Sequence, residues 1–279
     1  MNNYEKLEQA LLDHVRREET LFNRGKKSDS LCNHILRVAS YAEKIGKTEG
    51  LDPTVCRLAG LAHDAGKFTF GRYHECNQIE EENSAAVFQE LAKSSKIAQE
   101  SIDEIADAIV QLYSDVEYRT PLARVLYDAD NLDKLGHLGI VNFFIKAGLR
   151  GSGLSEELLL SQMVELTYAR HSSQRMKTAA GRELAEKRAA YTTEFIHEFI
   201  ELLKEDGIFN LQIIQDQFDG LTIDLVIPIS CKCGGNWKHL FWNEDGIKCR
   251  EIHVKYECTQ CGRSSHFKFC HPLTASANQ

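Results

Sequence analysis

The stretch Leu61-Ala-His-Asp-Ala-Gly-Lys67 places a histidine and an aspartate side by side at the end of an apolar run. Desolvating a carboxylate is costly unless a partner offsets it, and a divalent cation is one such partner. The alternative is a His–Asp pair that satisfies a helix end. Two more segments offer polar groups on apolar faces. His34 lies beside the stripe Leu31, Ile35, Val38, and Arg37 follows it at i+3 on the same side. Asp130 comes four residues after Leu126 and Asp133 three residues after Asp130, so both point with the inner face of one helix. Lys134 offers Asp130 an ordinary i+4 salt bridge instead, and Asp128, turned away from Asp130, reads as solvated.

Cysteines supply a second chemistry. Six of the nine (Cys231, Cys233, Cys249, Cys258, Cys261, Cys270) fall near the end of the chain. In a reducing compartment such clustering reads as metal ligation before disulfides. Cys258-Thr-Gln-Cys261-Gly is a knuckle, two thiolates on a tight turn, and Cys231-Lys-Cys233-Gly-Gly is its partner. Cys231, Cys233, Cys258 and Cys261 are therefore expected to hold a structural zinc in a zinc-ribbon-like module, with Cys249, Cys270 or His271 as substitutes for one ligand. A small β-rich module needs such a staple to offset its limited core.

The elements that must position these groups read as mostly helical to about residue 206. Leu31, Ile35, Val38, Ala42 and Ile45 recur at helical spacing. Asp52-Pro53 reads as a cap with proline at the first helical position, and Gly66 as the stop after that helix. Residues 83–99 and 101–113 read as helices, Pro121 opens another, and 180–206 is a long charged one. Residues 148–157 are glycine-rich but lack the Lys-Ser/Thr ending of a phosphate loop and read as a loop or lid leading into a helix. Glu75 and Glu80 to Glu82 read as a solvated helix start, with a place at the border of the active-site cleft as the alternative, and His137 reads as structural unless its helix continues past Gly136 toward the site. Residues 221–230 alternate as a strand. The expected class is mainly α, with a helical domain over 1–210 and a small β zinc-ribbon-like domain over 220–279.

The words His34-Ile-Leu-Arg-Val38, Leu58-Ala-Gly-Leu-Ala-His-Asp-Ala-Gly-Lys67 and Asp128-Ala-Asp-Asn-Leu-Asp-Lys-Leu-Gly136, in that order, resemble the HD superfamily of metal-dependent phosphohydrolases. The likeness extends over about residues 25–205, with later helices similar at 171–188. It implies a helical bundle holding one divalent ion through His34, His63, Asp64 and Asp130. Mn, Fe, Co or Ni suits such a donor set, and Mg is compatible. It implies Lys67 on a phosphoryl oxygen, Asp133 orienting or deprotonating the attacking water, and Arg37 gripping the substrate. Two-metal relatives carry extra histidines between the His-Asp pair and the last aspartate, whereas only His74 falls in that interval here.

The implied activity is hydrolysis of a phosphomonoester or pyrophosphate bond in a small phosphorylated substrate, with a nucleotide preferred. The alternative is a non-catalytic sensor module of the same fold, whose ribbon contacts nucleic acid or a protein partner. Aromatic and basic residues interleave in that ribbon (Trp237, Phe241, Trp242, Tyr256, Phe267, Phe269 with Lys238, Lys248, Arg250, Lys255, Arg263, Lys268), as a single-strand surface requires. A small β core has the same composition, so nucleic acid is not the favoured partner. Net charge is −8, which argues against wholesale nucleic-acid coating. No apolar run is long enough to span a bilayer and the charged start is not a secretory signal. A cytoplasmic location without membrane contact, with self-association left open, is the expectation.

Overall fold

The computed structural model describes residues 2–26, 29–73, 79–112, 120–246 and 249–273. These form two compact units: Met1–Asp133 with Met176–Leu184, and Lys134–Arg175 with Ala185–Gln279. The architecture is mainly helical with a small β region toward the end of the chain, the class expected.

The first unit holds α1 (Asn3–Phe22), α2 (Ser30–Thr48), α3 (Pro53–Ala62), the short hairpin β1 (Phe68–Thr69) and β2 (Arg72–Tyr73), α4 (Glu80–Ala92), α5 (Gln99–Gln111) and α6 (Pro121–Leu132). Helix starts follow local chemistry. Asn2 and Glu5 make a capping box on α1, and the Asp52 carboxylate accepts the Thr54 N–H ahead of α3. Thr120 accepts from Ala123 N–H ahead of α6, with proline next. Ile35, Ile45, Leu58, Leu61, Ile105, Ile109, Leu122 and Leu126 are fully buried between these helices. Gly60 lets α3 lie against α2, because a Cβ there would sit 2.5 Å from the Ala39 Cα. That close approach brings the end of α3 beside the second turn of α2.

The second unit holds α7 (Gly136–Leu149), α8 (Glu156–Leu160), α9 (Gln162–Arg175) and most of α10 (Ala179–Glu205). A β3–β4 hairpin (Leu211–Phe218, Leu221–Pro228) and a three-stranded antiparallel sheet follow, with β6 (Arg250–Cys258) between β5 (Trp237–Asp245) and β7 (Ser264–Cys270). The hairpin turn is Asp219-Gly220, both at positive φ, the geometry that matches strand twist. One hydrophobic core joins helices to both sheets. Met163, Leu166, Ile196 and Ile200 pack with Leu211, Ile223, Leu225, Ile252, Val254 and Tyr256. Phe241, Phe267, Phe269 and Trp237 pack against the same core, so much of the aromatic content of the ribbon is spent inward. No helix among the described residues is long and apolar enough to cross a membrane.

Candidate metal centre

Three helices deliver the site, all within the first unit. His34 stands early in α2, His63 caps the C-terminus of α3 with Asp64 next, and Asp130 and Asp133 close α6. His63, Asp64, Asp130 and Asp133 are buried, at 2%, 9%, 5% and 3% exposure. The His34 Nε2 lies 3.6 Å from Asp64 Oδ2 and 3.4 Å from Asp130 Oδ1. The His63 Nε2 lies 3.7 Å from Asp64 Oδ1 and 3.8 Å from Asp130 Oδ1. Ligand atoms at ~2.1 Å from a common octahedral ion would stand ~3.0 Å apart, so the cluster is slightly wider than a closed coordination shell.

The tautomers test whether an ion fits. The His63 Nδ1–H donates to the Gly60 carbonyl at 2.8 Å, and the His34 Nδ1–H donates to Asp133 Oδ2 at 2.8 Å. Ion ligation needs both rings neutral, with one N–H each, and the Nδ1 bonds then leave each Nε2 as a lone pair. These two lone pairs face each other at 3.2 Å. Such an approach is repulsive unless a positive charge sits between them, and the two adjacent carboxylates make the same demand. The donor set therefore fits a divalent ion held by His34, His63, Asp64 and Asp130. The first three have ligand atoms all within 4.8 Å of one another.

Electrostatics point the same way. Burial opposes a proton on His34, but Asp130, Asp133 and Asp64 outweigh it and push its pKa up to about 9. The cluster thus calls for positive charge, which a proton on His34 Nε2 meets in the ion-free protein and a divalent ion meets by displacing that proton. Burial dominates at His63 and pushes it down. Burial would raise Asp64, but His63, Lys67 and His34 pull it down to about 2.

The surrounding side chains are engaged with one another. Asp133 accepts from Arg37 Nε at 2.6 Å, Arg37 Nη2 at 2.9 Å and His34 Nδ1 at 2.8 Å. The guanidinium fork of Arg37 thus closes on Asp133. Lys67 Nζ lies 2.6 Å from Asp64 Oδ2 and 3.2 Å from Glu80 Oε1. Glu80, expected at a solvated helix start, instead reaches the centre through Lys67. Its place in an acidic run hid this, because the contact depends on how the β1–β2 hairpin returns the chain. His74 and Glu75 lie outside the described residues.

Asp128 departs from its expected place. It is fully buried and accepts from the Lys177 N–H, the Thr178 N–H and the Thr178 hydroxyl at 2.8, 2.8 and 2.7 Å. It faces away from Asp130, but toward the start of α10 rather than toward water. A Cβ at Gly181 would sit 2.2 Å from Asp128 Oδ2. His137 is exposed and stacks on Tyr191, with centroids 5.1 Å apart.

In the second unit, Cys231, Cys233, Cys258 and Cys261 present their sulfurs within 4.8 Å of one another. The separations Cys231–Cys261 of 3.7 Å and Cys233–Cys258 of 3.5 Å match the ~3.8 Å edge of a tetrahedron with Zn–S bonds of ~2.3 Å. Gly235 is required there, since a Cβ would lie 2.8 Å from Cys258 Sγ. Backbone N–H groups of Cys261 and Gln260 aim at Cys258 and hold its thiol at about 6. Cys249 and Cys270 do not join this set. They are bonded as a disulfide between the start of β6 and the end of β7, where the antiparallel pairing brings their Cα atoms to 5.8 Å.

Known proteins share the first centre's part of the chain. Residues 31–135 match the family model of the HD domain. YpgQ of Bacillus subtilis, an uncharacterised protein, is 27% identical over 180 residues, covering 60% of this chain and 80% of that one. The structure is similar to YpgQ solved in complex with ADP, at 25% identity over 73% of this chain and 96% of that chain, with a TM-score of 0.49. It is also similar to an HD-superfamily hydrolase from Bacillus thuringiensis, at 20% identity over 72% and 98% of the two chains, with a TM-score of 0.50.

Proposed function

Because this chain carries an HD domain over residues 31–135, we propose that it is a metal-dependent phosphohydrolase. Its substrate is a small phosphorylated compound, a nucleotide in our reading, cleaved at a phosphomonoester or pyrophosphate bond. The observation that carries this reading is the pair of imidazole Nε2 atoms facing each other at 3.2 Å beside two buried carboxylates, a cluster that calls for a cation.

His34, His63, Asp64 and Asp130 would hold one divalent ion, drawn from Mn, Fe, Co, Ni or Mg. When bound, the ion supplies Lewis acidity and a water deprotonated near neutral pH. The chain's own residues do the rest. Asp133 orients His34 through its Nδ1–H, while the Arg37 fork fixes Asp133 in turn. With three donors already on its two oxygens, Asp133 serves as an orienting carboxylate. Lys67 sits beside Asp64 under the hold of Glu80 and neutralises a phosphoryl oxygen as charge builds there. Cys231, Cys233, Cys258 and Cys261 of the second unit bind zinc as a structural staple.

The test is phosphate release from a panel of nucleoside mono-, di- and triphosphates with Mn²⁺, Co²⁺, Ni²⁺ and Mg²⁺ supplied in turn. Turnover of at least one member, abolished by Asp64→Ala and Asp130→Ala, is expected. A purified protein that carries the ion yet hydrolyses no phosphorylated compound sinks the proposal.

A further inference from the structure

We propose that Glu19 is a positioning residue of the His/Asp centre: from α1, ahead of the residues that match the HD domain, it caps the start of α2 and so sets where His34 stands. This deepens the reading of that centre as an ion site and rests on it.

Helix α2 begins without a cap of its own. Asp29, the residue before it, lies in the left-handed region at φ 51°, and its side chain makes no capping hydrogen bond. A capping residue needs extended backbone to fold its oxygen over the first turn. The first-turn N–H groups still have to be met, because Leu31 and Cys32 are both buried. Their acceptor comes from another helix. Each oxygen of Glu19 takes one donor, the Leu31 N–H on Oε1 at 3.0 Å and the Cys32 N–H on Oε2 at 3.3 Å. Glu19 continues the buried i+4 row Leu7, Leu11, Val15 of α1, and at 3% exposure it occupies a place the pattern reserves for an apolar side chain. Its charge there faces the positive end of the α2 dipole. Only a carboxylate serves both donors. A glutamine offers one acceptor and turns its NH₂ on the second N–H.

The cap matters for the centre because of where His34 sits. It follows Cys32 by two residues, one turn into α2. Its side chain is 21% exposed, against 13% or less for His63, Asp64 and Asp130. Of the four proposed ligands it is therefore the least held by packing and the nearest to a helix start, where frayed turns are common. Ligand bonds tolerate only about ±0.2 Å, so a loosened first turn moves His34 Nε2 out of range before the hydrophobic core responds.

Glu18 supplies the control. It is the preceding residue and is also buried, but it accepts from the Gly71 N–H at 3.2 Å, in the turn between β1 and β2. Losing either glutamate removes one tie from α1, and only the Glu19 tie holds α2.

The test is the Mn²⁺ affinity of the full chain and of Glu19→Gln, Glu19→Ala and Glu18→Gln, measured by competition with a chelating dye where all are folded. Mn²⁺ prefers nitrogen and oxygen donors to thiolates, which keeps the cysteine cluster out of the measurement. Amide hydrogen exchange of the ion-free chains reads the cap itself. Glu19→Gln is expected to bind Mn²⁺ about ten-fold more weakly, the lower end for groups that support a metal ligand. Glu19→Ala should bind more weakly still, and both should exchange faster at Leu31 and Cys32. Glu18→Gln should stay within about two-fold of the parent, although its melting temperature falls too. Equal Mn²⁺ affinity in Glu19→Gln and Glu18→Gln makes Glu19 a purely structural cap and overturns the proposal, whether or not Glu19→Ala folds. A parent chain that takes up no divalent ion while Leu31 and Cys32 stay protected overturns the ion-site reading itself, and this role of Glu19 with it.

Discussion

The His/Asp cluster and the four-cysteine cluster gather ion ligands by opposite means. The first draws two nitrogens and two carboxylates from three helices, with His34 and Asp130 almost a hundred residues apart in sequence. The second draws four sulfurs from two tight turns, with one and two residues between the ligands of the respective pairs. Four thiolates fill a tetrahedron and leave no position for water, whereas two imidazoles and two carboxylates leave part of an octahedron open. On the proposed function, the open site, with Lys67, Glu80, Asp133 and Arg37 paired around it, is the one that does chemistry. The closed one can only hold chain segments together.

That contrast breaks most easily at its extremes. Asp64→Ala or Asp130→Ala should lower metal-dependent phosphate release by on the order of 10³-fold or more, with circular dichroism and melting temperature little changed; a folded but fully active variant would erase the distinction. Cys258→Ser should do the reverse. Zinc content measured by mass spectrometry should fall and the second unit should melt on the order of 10 °C lower, while turnover per folded molecule at low temperature stays within about two-fold of the parent. Asp133→Asn sharpens the role of support around the open site, with an expected loss of about 10–100-fold in metal affinity measured by competition with a chelating dye.

The smallest expected effect concerns a carboxylate outside both clusters. Burial raises Glu165 from 4.5 to about 7, with Lys146 opposing. Its proton is kept in the folded state at pH values where the unfolded chain has released it. This contribution therefore favours the folded state below about pH 4.5 and is lost as pH rises toward 7. Glu165→Gln should flatten that part of the stability profile in urea titrations. An unchanged slope would show that the carboxylate is hydrated.

Helical periodicity made much of this legible. It placed His34, Asp130 and Asp133 on inner faces, and cap chemistry at Asp52-Pro53 and before Pro121 set the starts of α3 and α6. Asp128 departs from its solvated reading, and Glu80 takes the cleft-bordering alternative, because periodicity names a face and not the partner that covers it. Asp128 is satisfied by Lys177 and Thr178, some fifty residues away. The β3 strand went unread although Asp219-Gly220 beside the alternating 221–228 run is a hairpin signal. His171 carried no separate sequence signal, and its hydrogen bond to the Thr222 carbonyl exists only because α9 packs on β4.

Local composition by itself determined which donors this protein owns: thiolates on knuckles, and imidazoles and carboxylates at helix ends. Tertiary packing decided which of them meet. It turned Arg37 onto Asp133, set Glu80 over Lys67, and divided the six clustered cysteines into a set of four and a bonded pair. The physical reason is range. Backbone propensity and side-chain periodicity act within a turn or two, whereas hydrogen bonds and ion ligation are fixed by distances of a few ångströms between atoms that chain connectivity leaves far apart.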